Sequence, residues 1–329
     1  MKKVLITDDT HPLLLDGLER MGFTCHYLPD ITPAVARKII SEYQGLIINS
    51  RISVDRSMLD AAKQLRFVGR LGSGMEIVDR EYAARQGVAV VSSPEGNRNA
   101  VAEHALGMLL ALTNNLLRAD REVRQNIWRR EANRGTELLD RTLGIIGFGH
   151  TGSQFARKLA GMEMRVLAYD KYKTGYTAGM PWVEETDLEA IQRHADIISL
   201  HLPLTTETRH LVNKKFIDRC KTGFILINTA RGACIKTQDV VAALERGKIG
   251  GACLDVFENE KPTSFSLAEQ SLYQRLHALD QVILTPHVAG WTHTSKRMLA
   301  EVLLEKIRAV VFRKNWPEAG RQALLFVKT

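Results

Sequence analysis

Short apolar runs that predict buried β-strands alternate with helical segments over most of the 329-residue chain. Parallel strands need a long crossover between them, and that crossover is usually a helix. The alternation therefore predicts parallel sheets with helices on both faces. It falls into two blocks, and the chain is long enough for two domains of ordinary size. The predicted strands are 3–8, 24–28, 45–49, 67–71 and 88–92 in the first block, and 143–147, 165–169, 196–200, 224–228, 251–255 and 281–285 in the second.

Helical periodicity predicts the segments that connect these strands. The predicted helices are 11–21, 33–43, 55–64, 79–86, 151–162, 187–193, 213–219 and 237–246. One long helix is predicted from Ala100 to about Arg130, and its first half is apolar nearly all round, which indicates burial. A last helix is predicted at 292–313, and the long polar stretch 258–278 is predicted to be a surface loop.

The composition, with 45% hydrophobic and 25% charged residues, is typical of a soluble globular protein. The sequence contains no apolar run of about 18 residues, so we expect no membrane partner. The four cysteines are scattered and have neither zinc-ligand nor redox-motif spacing. We therefore expect reduced thiols, a cytoplasmic location and no metal site.

The net charge of +8 raises the question of an acidic partner. Acidic residues interrupt the most basic part of the chain, which favours a solvated or subunit-contacting helix face over a nucleic-acid surface. We therefore expect no nucleic-acid partner, and a modest positive field would suit a small anionic substrate. The basic residues of this part are Arg118, Arg121, Arg124, Arg129, Arg130 and Arg134.

A glycine-rich turn opens the second block. Between Gly147 and Gly152, glycine stands first, third and last, with a predicted strand before it and a predicted helix after it. This context is typical of a dinucleotide site, where the pyrophosphate lies against the helix N-terminus. Asp170 follows the next strand, where an acid bonds the adenosine ribose hydroxyls, so NAD is favoured over NADP as cofactor. The nearby Lys171 and Lys173 temper that preference.

Three later segments, each at the end of a predicted strand, carry side chains suited to the chemistry of 2-oxo acids. Arg231 can grip a carboxylate with two parallel hydrogen bonds. His287 can pass a proton near neutral pH, and a neighbouring carboxylate would favour its charged form. The segments are 228–232, 255–260 and 285–290. A hydride transfer to a 2-oxo acid needs these three kinds of group.

With these segments in place, the chain resembles the D-isomer-specific 2-hydroxyacid dehydrogenases over nearly its whole length. The other segments that carry the resemblance are 68–74, 97–112, 144–152 and 201–208. The resemblance implies two Rossmann-like, doubly wound parallel-sheet α/β domains with the active site in a cleft between them. Residues 1–99 with 292–329 would form the substrate domain, and residues 100–291 the NAD-binding domain. The long helix and the arm around Trp128 resemble the family's dimer-forming region, which implies a homodimer.

The resemblance also implies roles for the three side chains. Arg231 would hold the substrate carboxylate, and His287 would be the general acid in reduction and the general base in oxidation. Glu260 would pair with His287, and Glu258 is the alternative partner. The family commonly has proline directly after the key glutamate, whereas here Lys261 follows Glu260.

Further site residues follow from the same resemblance. Asp255 would bond the nicotinamide carboxamide, with a turn-capping aspartate as the alternative. Ser73 and Gly74 would meet the substrate carboxylate through backbone N–H groups. Arg51 would contact a distal phosphate, with a solvated arginine as the alternative. The implied cofactor-binding residues are Ser73, Gly147, Gly149, His150, Thr151, Gly152, Asp170, His201, Leu202, Pro203, Thr208, Thr229, Ala230, Asp255 and Gly290.

The expected function is an NAD-dependent oxidoreductase that transfers a hydride between nicotinamide and C2 of a D-2-hydroxy acid or 2-oxo acid. The basic charge and Arg51 favour a phosphoglycerate dehydrogenase-like activity. Hydroxypyruvate or glyoxylate reduction is the close alternative, and an NAD-sensing corepressor is the alternative of another class. Because the sequence ends at residue 329, we expect no C-terminal regulatory domain and no serine feedback through one.

Overall fold

Each alternating block folds around its own parallel sheet in the computed structural model, which describes residues 2–312. The described chain divides into two compact units, residues 2–97 with 292–312 and residues 98–291. Residues 313–329 lie outside the described residues. They include the end of the last predicted helix and part of the stretch assigned to the substrate domain.

The first unit has a five-stranded parallel sheet in the order β2-β1-β3-β4-β5. This is the flavodoxin-like order of a doubly wound sheet. Its strands are β1 (Lys2–Ile6), β2 (Phe23–Tyr27), β3 (Gly45–Ile48), β4 (Phe67–Arg70) and β5 (Ala89–Ser92). Its helices are α1 (Pro12–Arg20), α2 (Pro33–Ile39), α3 (Arg56–Ala61) and α4 (Arg80–Arg85), with a 3-10 turn at Ile40–Glu42.

The boundary between the two units lies at residues 97 and 98, within a long helix, α5 (Pro94–Thr113). Most of this helix belongs to the second unit. Its strands are β6 (Thr142–Ile146), β7 (Arg165–Tyr169), β8 (Val183–Glu185), β9 (Ile197–Leu200), β10 (Phe224–Asn228), β11 (Ile249–Leu254) and β12 (Val282–Leu284). Its helices are α6 (Leu116–Arg124), α7 (His150–Lys158), α8 (Leu188–His194), α9 (Lys214–Arg219), α10 (Thr237–Glu245) and α11 (Leu267–His277), and 3-10 turns lie at Gly232–Cys234 and Pro262–Ser264. The last described helix, α12 (His293–Val311), belongs to the first unit.

The seven parallel strands of the second unit lie in the order β8-β7-β6-β9-β10-β11-β12. The first six strands in chain order reproduce the dinucleotide-binding arrangement 3-2-1-4-5-6, and β12 extends the sheet by one strand. Two clusters of buried apolar side chains belong to this unit, one of them including the α5 residues Ala102 and Leu109. The predicted α/β fold class is thereby confirmed.

Three details of the prediction are wrong. The helix predicted from Ala100 to Arg130 is two helices, α5 and α6, because Asn115 adopts a left-handed backbone with φ of 54° between them. The predicted loop 258–278 contains α11, which begins with a capping box formed by Ser266 and Glu269. Six strands were predicted for this unit, but it has seven. The strand that was not predicted is β8, which is only three residues long and mostly acidic.

Candidate active site

The carboxyl ends of the parallel strands in the second unit carry the predicted cofactor turn and the predicted catalytic side chains. Gly147 follows β6 with φ of 93°, a conformation that favours glycine. A Cβ on Gly152 would lie 2.1 Å from the carbonyl oxygen of Gly147, so only glycine fits this crossing. Gly149 is the N-cap of α7 and makes no side-chain cap, and a Cβ there would meet nothing within 4 Å. A bare helix N-terminus beside open space fits the pyrophosphate of a dinucleotide.

Asp170 lies directly after β7, close to this turn. Its Oδ2 accepts a hydrogen bond from the backbone N–H of Phe148 at 2.9 Å, and its Oδ1 accepts one from the N–H of Tyr172 at 3.0 Å. The carboxylate is therefore held at the end of β7 next to the glycine turn. That is the position from which an acid reads the ribose hydroxyls of NAD in folds of this order.

The segment after β9 supports the glycine turn from inside. The imidazole of His201 is buried and lies 2.9 Å from the Ser199 hydroxyl, and burial lowers its pKa to about 3, so the ring is neutral. A Cβ on Gly147 would lie 2.4 Å from the carbonyl oxygen of His201. The Thr208 hydroxyl donates to the Pro203 carbonyl at 2.7 Å and so fastens the following loop. These contacts give His201 and Thr208 internal roles, and their predicted contact with the cofactor stays a prediction.

The turn after β10 orients Arg231 through a buried asparagine. The Asn228 side chain accepts from the N–H of Ala230 at 3.1 Å and donates to the carbonyl of Arg231 at 3.0 Å. Arg231 has an extended backbone, with φ of −144°, and its Nη1 donates to the Ala230 carbonyl at 2.7 Å. Within residues 2–312 the buried Thr229 hydroxyl makes no hydrogen bond, which fits a group that a bound ligand satisfies. The sequence singled out Arg231 but missed Asn228, whose signal is a polar amide at the last position of a buried strand.

His287 and Glu260 form a close pair. Nδ1 of His287 lies 2.9 Å from Oε2 of Glu260, and both side chains are partly exposed. Burial disfavours the charged carboxyl of Glu260, but the hydrogen bond and charge of His287 act in the opposite direction. The Phe257 N–H and the positive charge of Arg231 add to them, so the pKa of Glu260 lies below its ordinary value. The structure thus brings all three predicted catalytic side chains to one edge of the sheet.

Glu258, the alternative partner of His287, points to another set of groups. Its Oε1 lies 2.6 Å from Nε2 of His210, and its Oε2 accepts from the Thr237 N–H at 2.6 Å, at the start of α10. The carboxylate therefore caps a helix and holds a neighbouring loop. Of the two candidates, Glu260 is the one in contact with His287.

Asp255 is fully buried at the end of β11 and organises the segment that carries His287. Its Oδ1 accepts from the Thr285 hydroxyl at 2.6 Å and from the Val288 N–H at 2.9 Å, and its Oδ2 accepts from the Ala289 N–H at 2.9 Å. The His287 N–H donates to the Asp255 carbonyl at 2.8 Å. These contacts match the turn-capping alternative, and the predicted bond to nicotinamide stays a prediction.

His104, in the apolar half of α5, also belongs to this network. Its Nε2 lies 3.0 Å from the Thr285 hydroxyl and 3.6 Å from Oδ1 of Asp255. The sequence analysis did not predict this connection between α5 and the strand end. The sequence holds no signal for this contact, because the two segments lie far apart along the chain.

The predicted substrate residues of the first unit have partners within that unit. Nη2 of Arg51 donates to the carbonyls of Thr7 at 3.0 Å and Ile31 at 3.1 Å, and its Nε lies 3.6 Å from Oδ1 of Asp8. The Ser73 hydroxyl donates to the Asn97 side chain at 3.1 Å, and Gly74 is buried. Arg51 is thus bound at a strand end, which weakens the reason for assigning it a distal phosphate.

A cavity of about 400 Å³ lies near the amino ends of β9 and β10, lined in part by Asp196 and Lys221, and contains none of the predicted site residues. Residues 2–312 hold no cluster of three or more side chains able to bind a metal ion. Among the same residues, none of the helices has the length and apolar character needed to span a membrane.

Comparisons with known proteins agree with this geometry. The family model "D-isomer specific 2-hydroxyacid dehydrogenase, NAD binding domain" matches residues 106–289, more than half of the chain. A hydroxypyruvate reductase of Thermotoga maritima is 36% identical over 270 residues, covering 82% of this chain and 85% of that protein. A D-3-phosphoglycerate dehydrogenase of Synechocystis sp. is 35% identical over 311 residues, covering 94% of this chain.

The match spans only 54% of the Synechocystis protein, so the chain covers about half the length of that relative. Among solved structures, a protein of Thermus thermophilus, TT0316, superposes with a TM-score of 0.81 at 31% identity, covering 94% of this chain and 96% of that one. The D-lactate dehydrogenase of Aquifex aeolicus, in complex with NAD and lactic acid, superposes with a TM-score of 0.80 at 27% identity, covering 94% and 95%.

Proposed function

The chain belongs to the D-isomer-specific 2-hydroxyacid dehydrogenases, NAD-dependent oxidoreductases, and we propose that Arg231, Glu260 and His287 carry its reaction. The observation that carries this proposal is the 2.9 Å contact between Nδ1 of His287 and Oε2 of Glu260, beside the charge of Arg231. A cation, a carboxylate and an imidazole at one strand edge are the groups that interconversion of a 2-hydroxy acid and a 2-oxo acid requires.

His287 would move the proton. Because Nδ1 faces the Glu260 carboxylate, Nδ1 carries the ring proton and Nε2 is the nitrogen that exchanges a proton with the substrate oxygen. Glu260 keeps the imidazole in this orientation through the contact with Nδ1. Bound NAD would supply or accept the hydride at C2 of the substrate.

Arg231 would bind the substrate carboxylate. The Asn228 side chain bonds the backbone N–H of Ala230 and the carbonyl of Arg231. These bonds fix the backbone position from which the Arg231 side chain extends. Its planar fork can form two parallel hydrogen bonds to a carboxylate, so it would orient the acid as well as attract it. The roles predicted for Ser73 and Gly74 toward the same carboxylate stay predictions, as does the assignment of residues 1–99 with 292–329 to the substrate.

NAD would bind along the glycine turn. The open space at Gly149, the buried Thr229 hydroxyl and the carboxylate of Asp170 support this placement. The other residues in the proposed cofactor set are Gly147, His150, Thr151, Gly152, Leu202, Pro203, Ala230, Asp255 and Gly290, together with His201, Thr208 and Ser73.

For the substrate we propose a 3-phosphoglycerate-like acid, supported by the net charge of +8 and the similarity to phosphoglycerate dehydrogenases. Hydroxypyruvate is the second candidate. Two observations favour it: Arg51 is already bound to two carbonyls, and the similar hydroxypyruvate reductase is matched over most of its length.

We further propose a homodimer in the cytoplasm. Large apolar side chains are exposed on and around α6, which supports a subunit contact. They include Leu116, Leu117, Val123, Trp128 and Leu139. All four cysteines are free thiols, which supports a reducing compartment. Sedimentation equilibrium tests the first part of this proposal, and a monomer at micromolar concentration would contradict it.

A substrate panel tests the proposed reaction. Oxidation of NADH is followed with 3-phosphohydroxypyruvate, hydroxypyruvate, glyoxylate and pyruvate, each over a range of concentrations. The highest kcat/KM with the phosphorylated acid would support the first candidate, and a preference for hydroxypyruvate would support the second. Tight NADH binding without turnover of any of the four acids would contradict the reaction and favour an NAD-sensing binding protein.

A further inference from the structure

Glu207 connects two loops at the adenosine side of the cofactor turn. Its Oε1 lies 2.8 Å from Nζ of Lys171, and its Oε2 accepts from the Tyr172 hydroxyl at 2.5 Å. Nζ of Lys171 also lies 5.5 Å from the centre of the Tyr172 ring. A single carboxylate from the loop after β9 therefore engages two neighbouring side chains of the loop after β7.

These two side chains follow directly after Asp170, the proposed reader of the ribose hydroxyls. The Tyr172 N–H donates to Oδ1 of Asp170, so the start of this loop is folded back on the carboxylate. The other nearby cation, Lys173, donates to the Phe148 carbonyl at 3.2 Å. Both lysines that could meet a phosphate on the ribose are therefore already engaged, one by a carboxylate and one by a peptide oxygen.

The charges around this point oppose a phosphate on the ribose 2′-oxygen. Glu207 raises the pKa of Lys171 through a hydrogen bond and an ion pair, and Lys171 lowers the pKa of Glu207 in return. Lys171 is thus charged, but the carboxylate of Glu207 offsets its charge. Asp170 and Glu207 place two carboxylates at the same end of the sheet. Since a phosphate monoester carries about two negative charges, it would gain little from Lys171 and be repelled by both acids.

We infer that Glu207 is a cofactor-specificity residue, which excludes the 2′-phosphate of NADP by occupying Lys171 and by adding a second negative charge beside Asp170. This inference rests on the proposed use of NAD at the glycine turn and names the group that sharpens the choice between NAD and NADP. Its size is modest, because an ion pair between exposed side chains is weak and solvent-screened.

Direct binding of the two reduced cofactors tests the inference without turnover. The dissociation constants of NADH and NADPH are measured by isothermal titration for wild type and Glu207→Gln. The variant should bind NADPH about fivefold more tightly, which is the worth of one exposed ion pair, and should bind NADH as wild type does. Adding Lys171→Gln to Glu207→Gln should remove most of the gain, because the released ammonium is the group that would meet the phosphate.

Glu184→Gln is the matched control. Glu184 pairs with Arg165 at 2.8 Å on a similarly exposed surface, but at the first residue of β7, the opposite end of the strand from Asp170. Its loss should leave both dissociation constants unchanged. Normal NADH binding with unchanged NADPH affinity in Glu207→Gln would overturn this inference alone. Failure of wild type to bind NADH would overturn the proposed cofactor site and, with it, this inference.

Discussion

His287 adopts a left-handed backbone conformation, with φ of 57°, although it is not glycine. Such a conformation costs free energy and persists where the surrounding structure imposes it, often at functional sites. Here Asp255 imposes it by accepting from the N–H groups of His287, Val288 and Ala289. The result is an imidazole whose Nδ1 faces Glu260, which leaves Nε2 for the proposed proton transfer.

Replacing His287 with asparagine should abolish proton transfer while preserving the turn. Asparagine tolerates the left-handed conformation, so the backbone bonds to Asp255 can remain. We expect kcat/KM to fall by at least about 10²-fold. The dissociation constant of NADH, measured by fluorescence titration, should stay the same. Near-normal turnover in this variant would remove the general acid–base role from His287.

Glu260 and Glu258 form a matched pair of substitutions, since the two acids are two residues apart but contact different groups. Glu260→Gln should lower kcat/KM by about tenfold or more, because it weakens the contact that orients the imidazole of His287. Glu258→Gln should leave kcat/KM close to wild type and lower the free energy of unfolding by about 1 kcal/mol, because it weakens the cap on the Thr237 N–H. Equal losses of activity in the two variants would contradict the assignment of Glu260.

The pH dependence of stability gives a second test of the same pair. The pKa of Glu260 is lowered from 4.5 in the folded protein. Its contribution to stability is therefore present above 4.5 and lost as pH falls through the lower folded value. The difference in free energy of unfolding between wild type and Glu260→Gln, measured with urea, should be constant above pH 5 and should shrink as pH is lowered from 5 toward 3. A difference that grows over this range would contradict a lowered pKa.

At the scale of single elements, two glycines of the turn between β6 and α7 differ in purpose: the fold requires Gly152, and the proposed cofactor binding requires Gly149. Gly152→Ala would place a Cβ 2.1 Å from a backbone oxygen, so it should destabilise the unit by more than about 1 kcal/mol. The Cβ of Gly149→Ala would lie in open space at a φ of −85°, so the fold should be unaffected. NADH binding should weaken, because the Cβ would occupy the space proposed for the pyrophosphate. Urea unfolding and NADH titration of both variants check this contrast. Unchanged NADH affinity in a stable Gly149→Ala protein would contradict the proposed pyrophosphate position.

The positions of the larger elements could be predicted because buried strands are short apolar runs with turn residues at their ends. The break between α5 and α6 could not, because no glycine or proline lies between residues 114 and 124 and the left-handed turn at Asn115 is a local backbone choice. Helix α11 could have been predicted from the Ser266–Glu269 capping box, which the sequence displays. The strand β8 was not predicted because two of its three residues are acidic, and it lies at the edge of the sheet beside β7.

Within the site, the sequence indicates which side chains lie at strand ends, but it does not indicate which groups those side chains contact. Arg231 and His287 follow predicted strands, and parallel strands bring such ends to one edge. The choice between Glu258 and Glu260 depends on whether the chain turns toward Thr237 or toward His287, which is a tertiary property. The engagement of Arg51 by two carbonyls from distant segments is likewise visible only in the fold.

At the scale of the whole molecule, two doubly wound units are built from different strand orders, and the proposed cofactor turn and the three proposed catalytic side chains all belong to the second unit. The net charge of +8 would raise the local concentration of an anionic acid around either unit. In the proposed roles, Arg231 and His287 would recognise the 2-oxo carboxylate, a feature shared by every candidate substrate. The remainder of the substrate must therefore be read by other residues, and the substrate panel addresses that choice.

The most direct test of the account is the configuration of the product. Wild-type protein is incubated with NADH and the best of the three panel acids that give a chiral product, 3-phosphohydroxypyruvate, hydroxypyruvate and pyruvate, and the hydroxy acid formed is separated on a chiral column. We expect oxidation of NADH with formation of an equal amount of the D-isomer, and loss of both signals in His287→Asn. Formation of the L-isomer, or product formation that is unchanged in His287→Asn, would contradict it.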